Sequence, residues 1–232
     1  NPELSENLEG PQQYWITPPE AFSTKRFDSF FYCPDLARTY EELNDAKDQE
    51  RIKLLEGRKL RIRSKLSVFE KNKFKASSKL FKYIEIGDVT QYGLITKYIE
   101  KPFDELPSRG QYQIRAGDIL LALNISSRGT VVRVPQEFDG AICTSGFLVI
   151  VPDDDESGLL LWYALRSEVC RRQIYYLAQT ASQPELKLEA WNEHFVIPIP
   201  IGEERVKALT KTREFYEYLE KISNISSYRY EP

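Results

Sequence analysis

The chain has 232 residues, of which 41% are apolar, 29% charged and 12% aromatic, with a net charge of −3; that is enough apolar chain for a full core. No run approaches the ~18 consecutive apolar residues of a membrane helix, and no apolar leader opens the sequence. The three cysteines, Cys33, Cys143 and Cys170, are too scattered for a disulfide framework or a paired-cysteine metal site.

These features predict a cytoplasmic protein with reduced thiols and no metal or cofactor. The small net charge hides an asymmetry. Residues 1–50 carry 4 Lys/Arg against 11 Asp/Glu, a net of −7, whereas residues 51–82 carry 12 against 2, a net of +10. A basic block inside an acidic chain is either a surface for a polyanion or a solvated face.

In chain order, residues 1–20 read as an extended, proline-bearing arm. Pro34 suits the first turn of a helix, with Leu36, Tyr40 and Leu43 at helical spacing and Gly57 as a stop, although the apolar stripe lapses between Lys47 and Arg51. The basic block follows. Its second half interleaves Phe69, Phe74 and Phe81 with Lys71, Lys73, Lys75 and Lys79. Lysines two apart line one side of an extended segment, a form that tracks phosphates; the other reading is a solvated edge whose charge opposes aggregation. Leu80–Ile86 reads as a strand, Leu94–Ile99 as a further strand, and Lys101–Arg109 as a loop.

The central stretch, Arg115 to Pro152, holds three short β-branched runs, Ile119–Leu123, Val131–Val134 and Phe147–Val151, separated by glycine-bearing turns. They predict a buried antiparallel or mixed sheet. Gly158–Leu177 then reads as the best helix. Gln179–Pro184 is a polar loop and Leu186–Phe195 a short helical segment. Val196–Ile201 is a strand broken by two prolines, hence an edge. Gly202–Ser223 is a helix with Val206, Leu209, Tyr216, Leu219 and Ile222 at roughly heptad spacing. It needs a partner surface, in this domain or on another chain.

Catalytic signatures are sparse. Phosphate-binding glycine loops and the serine-hydrolase elbow are missing, and the sole histidine, His194, has no second ligand beside it in the sequence. One enzymatic pattern stands: Asp153 with Glu185 and Lys187 imitates the acidic pair and lysine of Mg²⁺-dependent nucleases.

The order of several motifs carries a resemblance. These are Arg26-Phe-Asp with Phe31-Tyr-Cys-Pro34, Tyr83-Ile-Glu-Ile-Gly-Asp-Val89, Ala116-Gly-Asp-Ile-Leu120 and Gly129-Thr-Val-Val-Arg-Val134. Thr144-Ser-Gly-Phe147, Leu161–Ser167, Ser182-Gln-Pro-Glu-Leu-Lys187 and Ile197-Pro-Ile-Pro200 complete the series. Over residues 26–223 the chain resembles a target-recognition half of the specificity (S) subunit of Type I restriction-modification enzymes. It departs at Glu185, where the family tends to have Asn, and in the Gly129 loop, which lacks a second glycine.

The resemblance implies an α+β fold: an irregular, sheet-rich target-recognition domain with flanking helices, the last a spacer and docking helix. It divides the chain into an N-terminal arm and helix (1–57), a DNA target-recognition domain (58–201) and a C-terminal spacer helix (202–232). It implies a non-catalytic module that reads one half of a bipartite double-stranded DNA target and docks a DNA adenine methyltransferase (M) subunit, with the restriction (R) subunit joining the full complex. One recognition domain fits this length. The chain then reads as one half of a two-domain subunit, a half-length subunit that forms a homodimer through its C-terminal helix, or the end of a methylase fusion.

Motifs shared by readers of different sequences cannot themselves encode a sequence, so Gly117, Asp118, Gly146 and Pro198 are scaffold on this view. Base contact falls to Asn124, Ser126, Ser127 and Arg128 in one loop and to Gln179, Thr180, Gln183 and Lys187 in another. Lys71, Lys73 and Lys75 fall on phosphate, and Val206, Leu209, Tyr216, Leu219 and Ile222 on the docking partner. A protein–protein scaffold working through the terminal helix is the remaining alternative.

Overall fold

The structure, a computed structural model, describes residues 33–124, 129–178 and 184–227; the arm expected over residues 1–20 lies outside them. The fold is α+β. Helices are α1 (Pro34–Asp48), α2 (Val68–Lys75), α3 (Asp155–Leu165), α4 (Glu168–Ala178), α5 (Leu188–Glu193) and α6 (Gly202–Ser227). Strands are β1 (Ile52–Glu56), β2 (Leu80–Ile84), β3 (Ile99–Pro102), β4 (Gly110–Gln113), β5 (Ile119–Ala122), β6 (Val131–Arg133), β7 (Ile142–Thr144), β8 (Phe147–Ile150) and β9 (Val196–Pro200).

The three central runs form one antiparallel sheet in the order β6-β5-β8. Their unbroken apolar character has a simple cause. Successive side chains of a strand point to opposite faces, and here both faces are buried. Ile119, Leu121, Leu148 and Ile150 enter a core shared with α3, α4 and α6. Leu120, Ala122, Phe147 and Val149 enter a second core with Ile84, Ile114 and Val134. The second core is closed by a mixed sheet in the order β3-β2-β7-β4.

Residues 61–66 tie the two sheets together. The Arg63 amide donates to the Val149 carbonyl at 2.8 Å, the Val151 amide to Arg61 at 2.8 Å, and the Leu66 amide to Gln111 on β4 at 2.7 Å. The guanidinium of Arg63 forks onto Asp118, Nε to Oδ2 at 2.8 Å and Nη2 to Oδ1 at 2.7 Å. Asp118 is 3% exposed and also accepts from the Arg115 amide at 2.8 Å. Gly117 before it sits at φ +85°, a left-handed turn that glycine adopts without strain.

Four boundaries differ from the sequence reading. The first helix ends at Asp48, where the apolar stripe lapses, and Ile52–Glu56 is a strand. The helix expected over Gly158–Leu177 is two, separated at Arg166-Ser167. Asp154 caps the first of them by accepting from the Ser157 amide at 2.7 Å, which holds its carboxyl below the usual carboxylate range. Leu94–Ile99 is not one strand: Ile95 makes only a bridge to Val89, and Ile99 opens the partner of β2, Ile99–Pro102, which lies partly inside the expected loop.

β1 and β9 pair antiparallel, Ile52 opposite Pro200 and Glu56 opposite Val196. The fully buried Gln173 of α4 clamps β9 from its other side. Its amide donates to the Val196 carbonyl at 2.8 Å, and its carbonyl accepts from the Val196 amide at 2.9 Å. Replacing Gln173 by alanine strands both backbone groups. Urea denaturation should show a loss of about 1–3 kcal/mol; an unchanged midpoint would mean that water replaces the clamp.

α6 lies on α3 through an aromatic stack. Trp162 is 1% exposed and its indole donates to the Val131 carbonyl at 3.1 Å. Phe215 stacks on it at 5.7 Å, Tyr216 meets it edge-on at 5.6 Å, and the Arg166 guanidinium lies 4.5 Å from both the Trp162 and Phe215 rings.

Candidate nucleic-acid interface

The antiparallel register gives the central sheet two ends of different character. At one end Ile150 faces Ile119, and the chain runs on through Pro152 to the acidic turn. At the other, the Leu123 amide donates to the Gly146 carbonyl at 3.1 Å and the Leu186 amide to the Leu123 carbonyl at 2.8 Å, and Asn124 bridges Glu185. The bases of the two polar loops singled out in the sequence therefore meet at one place. Asn124 is half-buried there, and Lys187 is exposed and pairs with Glu185 at 3.0 Å. Ser126, Ser127, Arg128, Gln179, Thr180 and Gln183 lie outside the described residues. Gly129, at φ +66°, leads back into β6 against Arg171 and Ile174.

The lysine segment differs from the extended form expected. Residues 68–75 are helical because Ser67 and Glu70 build a reciprocal cap: the Glu70 amide donates to Ser67 Oγ at 3.2 Å, and the Ser67 amide to the Glu70 carboxylate at 2.8 Å. Successive residues turn by about 100°, so the three lysines do not line one side. Lys71 and Lys75 share a side and Lys73 faces away from them. Lys71 turns inward and donates to Gln111 Oε1 at 3.0 Å, while Lys73 and Lys75 are exposed.

A path of hydrogen bonds and short stretches of backbone leads from this helix to the loop bases. Gln111 follows Arg109 by two residues, the Arg109 carbonyl accepts from the Ser145 amide at 2.8 Å, and the next residue, Gly146, receives Leu123. Arg109 itself went unremarked in the sequence. It is exposed, and its guanidinium reaches to 3.7 Å from the point a Cβ on Gly146 would occupy. Among the described residues no carboxylate pairs with it. The sequence signal was a cation immediately before the buried Gly110 at the start of β4, but only the fold carries it to the rim.

Behind the rim, Tyr83 is fully buried and donates to Glu85 at 2.9 Å. Burial first, then that carboxylate, pushes its phenol up to about 12, so it stays a neutral donor. Burial likewise raises the Cys143 thiol and pushes Cys170 up to about 12; neither is a thiolate at neutral pH.

Two expectations are corrected. The nuclease pattern is not assembled. Asp153 lies beyond the Ile150 end and approaches Arg61 at 4.0 Å, whereas Glu185 sits at the Asn124 end. The five residue steps from Ile119 to Asn124 put roughly 16 Å between those ends. Among the described residues no three His, Cys, Asp or Glu side chains cluster as a metal site. The docking stripe of α6 is largely spent on its own domain: Leu209 and Leu219 are buried in the core and Tyr216 lies on Trp162, while Ile222 is half-buried and Val206 is exposed. None of the described helices is long and apolar enough to cross a membrane.

No protein-family model matches the sequence, and no curated protein matches it. Solved structures do. The chain is similar to one from a study of complex assembly and conformational transition of the type I R-M system, at 22% identity and a TM-score of 0.57, over 75% of this chain and 44% of that one. It is similar also to the HsdS subunit from Thermoanaerobacter tengcongensis, at 22% identity and a TM-score of 0.56, with the same coverage of 75% and 44%. The likeness is one of fold, and it agrees with the resemblance carried by the motifs. This chain spans less than half the length of either of these two.

Proposed function

We propose that this chain is a DNA target-recognition module of a Type I-like restriction-modification specificity subunit. It reads one half of a bipartite duplex target in the cytoplasm and makes no bonds itself. Residues 1–57 form its arm and first helix, 58–201 the reading body and 202–232 the spacer. Asn124, Ser126, Ser127 and Arg128, with Gln179, Thr180, Gln183 and Lys187, face base edges. Lys71, Lys73 and Lys75, joined by Arg109, serve phosphate and position. The partners are duplex DNA, a methyltransferase subunit and, in the full complex, a restriction subunit. Val206 and Ile222 are the part of the terminal helix left for docking or for pairing of two copies.

The observation that carries this reading is the meeting of the two polar loop bases at the Asn124 end of the central sheet, with Arg109 reaching the adjoining turn at Gly146, in a fold shared with a solved HsdS subunit. Titrating a labelled duplex at several salt concentrations tests it. Affinity should fall steeply with salt, with a log–log slope of about −0.9 per phosphate contact. Neutralising Lys73 and Lys75 to glutamine should make the slope shallower by about 2. Binding that ignores salt, or no binding at low salt, would sink the proposal.

A further inference from the structure

Phe69, at 78%, is the most exposed large apolar side chain among the described residues, and Val68 beside it is 76% exposed. Single exposed apolar groups are ordinary. This pair is set apart by where it stands. α2 buries none of its residues and is held by two inward groups. Phe74 packs 4.9 Å from Phe81 and 5.4 Å from Phe103, and Lys71 holds Gln111. With those two turned inward, helical geometry projects Phe69, Asn72 and Lys73 along the opposite crest, and all three are exposed.

Charge around the crest is one-sided. Lys73 shares the crest, Lys65 precedes the helix, Lys75 lies on the side of Lys71, and Lys79 follows over the Phe81 ring at 5.3 Å. Among the described residues none of these four pairs with a carboxylate. The one acid on the helix, Glu70, is engaged in the cap: it accepts from the Ser67 hydroxyl at 2.6 Å and from the Ser67 amide, which holds its carboxyl below the usual range. An apolar ridge that carries one unpaired cation, on a short helix with no free acid, matches a groove walled by phosphates and floored by sugars and bases.

We propose that Phe69 is an apolar anchor that enters a groove of duplex DNA, its ring against a base step or sugar edge, with Lys73 on a flanking phosphate. This rests on the DNA-reading function above and adds to it a contact that is not electrostatic. Such a contact leaves its own signature, because it changes affinity without changing counterion release.

The test compares the full chain with F69A and F69W on a random-sequence duplex across a salt series. F69A should bind roughly tenfold more weakly at every salt concentration, with the slope of the unaltered chain. F69W should keep the affinity, and the emission of the introduced indole should change on adding DNA. Thermal melts should match for all three chains, since the ring is exposed. If the unaltered chain binds with a steep salt slope and F69A binds equally well, the anchor falls while the DNA reading stands, and the crest belongs to a protein partner. If the unaltered chain does not bind, the DNA reading falls and the anchor with it.

Discussion

Replacing Asp118 by alanine should lower the unfolding free energy by about 3 kcal/mol, the lower end of the range for breaking a buried ion pair. The lower end applies because the Arg63 side chain keeps 25% of its exposure while Asp118 keeps 3%. The substitution leaves a guanidinium partly out of water with no carboxylate, and it frees the Arg115 amide at the entry to β5. Arg63→Met should cost at least as much, because it leaves the more deeply buried charge without its cation. The double replacement Arg63→Met with Asp118→Leu should recover part of the loss, since a well-packed apolar pair removes both desolvation penalties. With Asp118→Leu as the matching single variant, denaturant curves of the unaltered chain, Arg63→Met, Asp118→Leu and the double replacement form a double-mutant cycle. Strictly additive losses would show that the fork contributes nothing as a pair. Because residues 61–66 run from one sheet to the other, trypsin should also cut faster in this arginine- and lysine-rich stretch once Asp118 is gone.

Trp162→Ala should cost more, about 3–5 kcal/mol, the range for emptying a large aromatic from a core. The indole fills the seam between α3 and α6, donates to Val131 on β6, and supports Arg166 and Phe215. Its removal strips α6 of the surface it lies on, and a lone helix of 26 residues with few alanines is marginal in water. The helical signal should therefore drop at temperatures where the sheets remain folded. A single cooperative transition with no early helix loss would contradict this. Trp162→Phe, which keeps the ring stack and loses the indole donor, should cost far less.

The sequence made some of this legible and hid the rest for identifiable reasons. The three central strands were readable because burial on both faces leaves an unbroken apolar run between glycine turns. Ile52–Glu56 was not, because its burial is partial and its sequence, Ile-Lys-Leu-Leu-Glu, does not alternate and lies three residues beyond a helix. The break at Arg166-Ser167 escaped notice because Leu161, Leu165 and Val169 keep helical spacing across it; only the chain's bend shows it. The lysine segment was misjudged because alternation of lysine and phenylalanine imitates a strand, whereas the Ser67–Glu70 cap starts a helix. At the Asn124 end, Asn124 and Lys187 stand out in the sequence only as polar residues in loops. Their meeting, and the arrival of Arg109 nearby, depend on pairing between residues about sixty positions apart, which local pattern does not carry.

The clamp on β9 has a consequence for how copies of this protein behave at high concentration. Along the ribbon the odd-numbered residues face β1, so Val196, Pro198 and Pro200 turn their backbone outward. Two of the three are prolines with no hydrogen to offer, and Gln173 holds the third. That margin thus presents no amide donor on which a stray segment might begin to stack. It is a border sealed by covalent chemistry at two points and by one glutamine at the last, which makes Gln173 the single place where fibrous self-assembly could gain a foothold there.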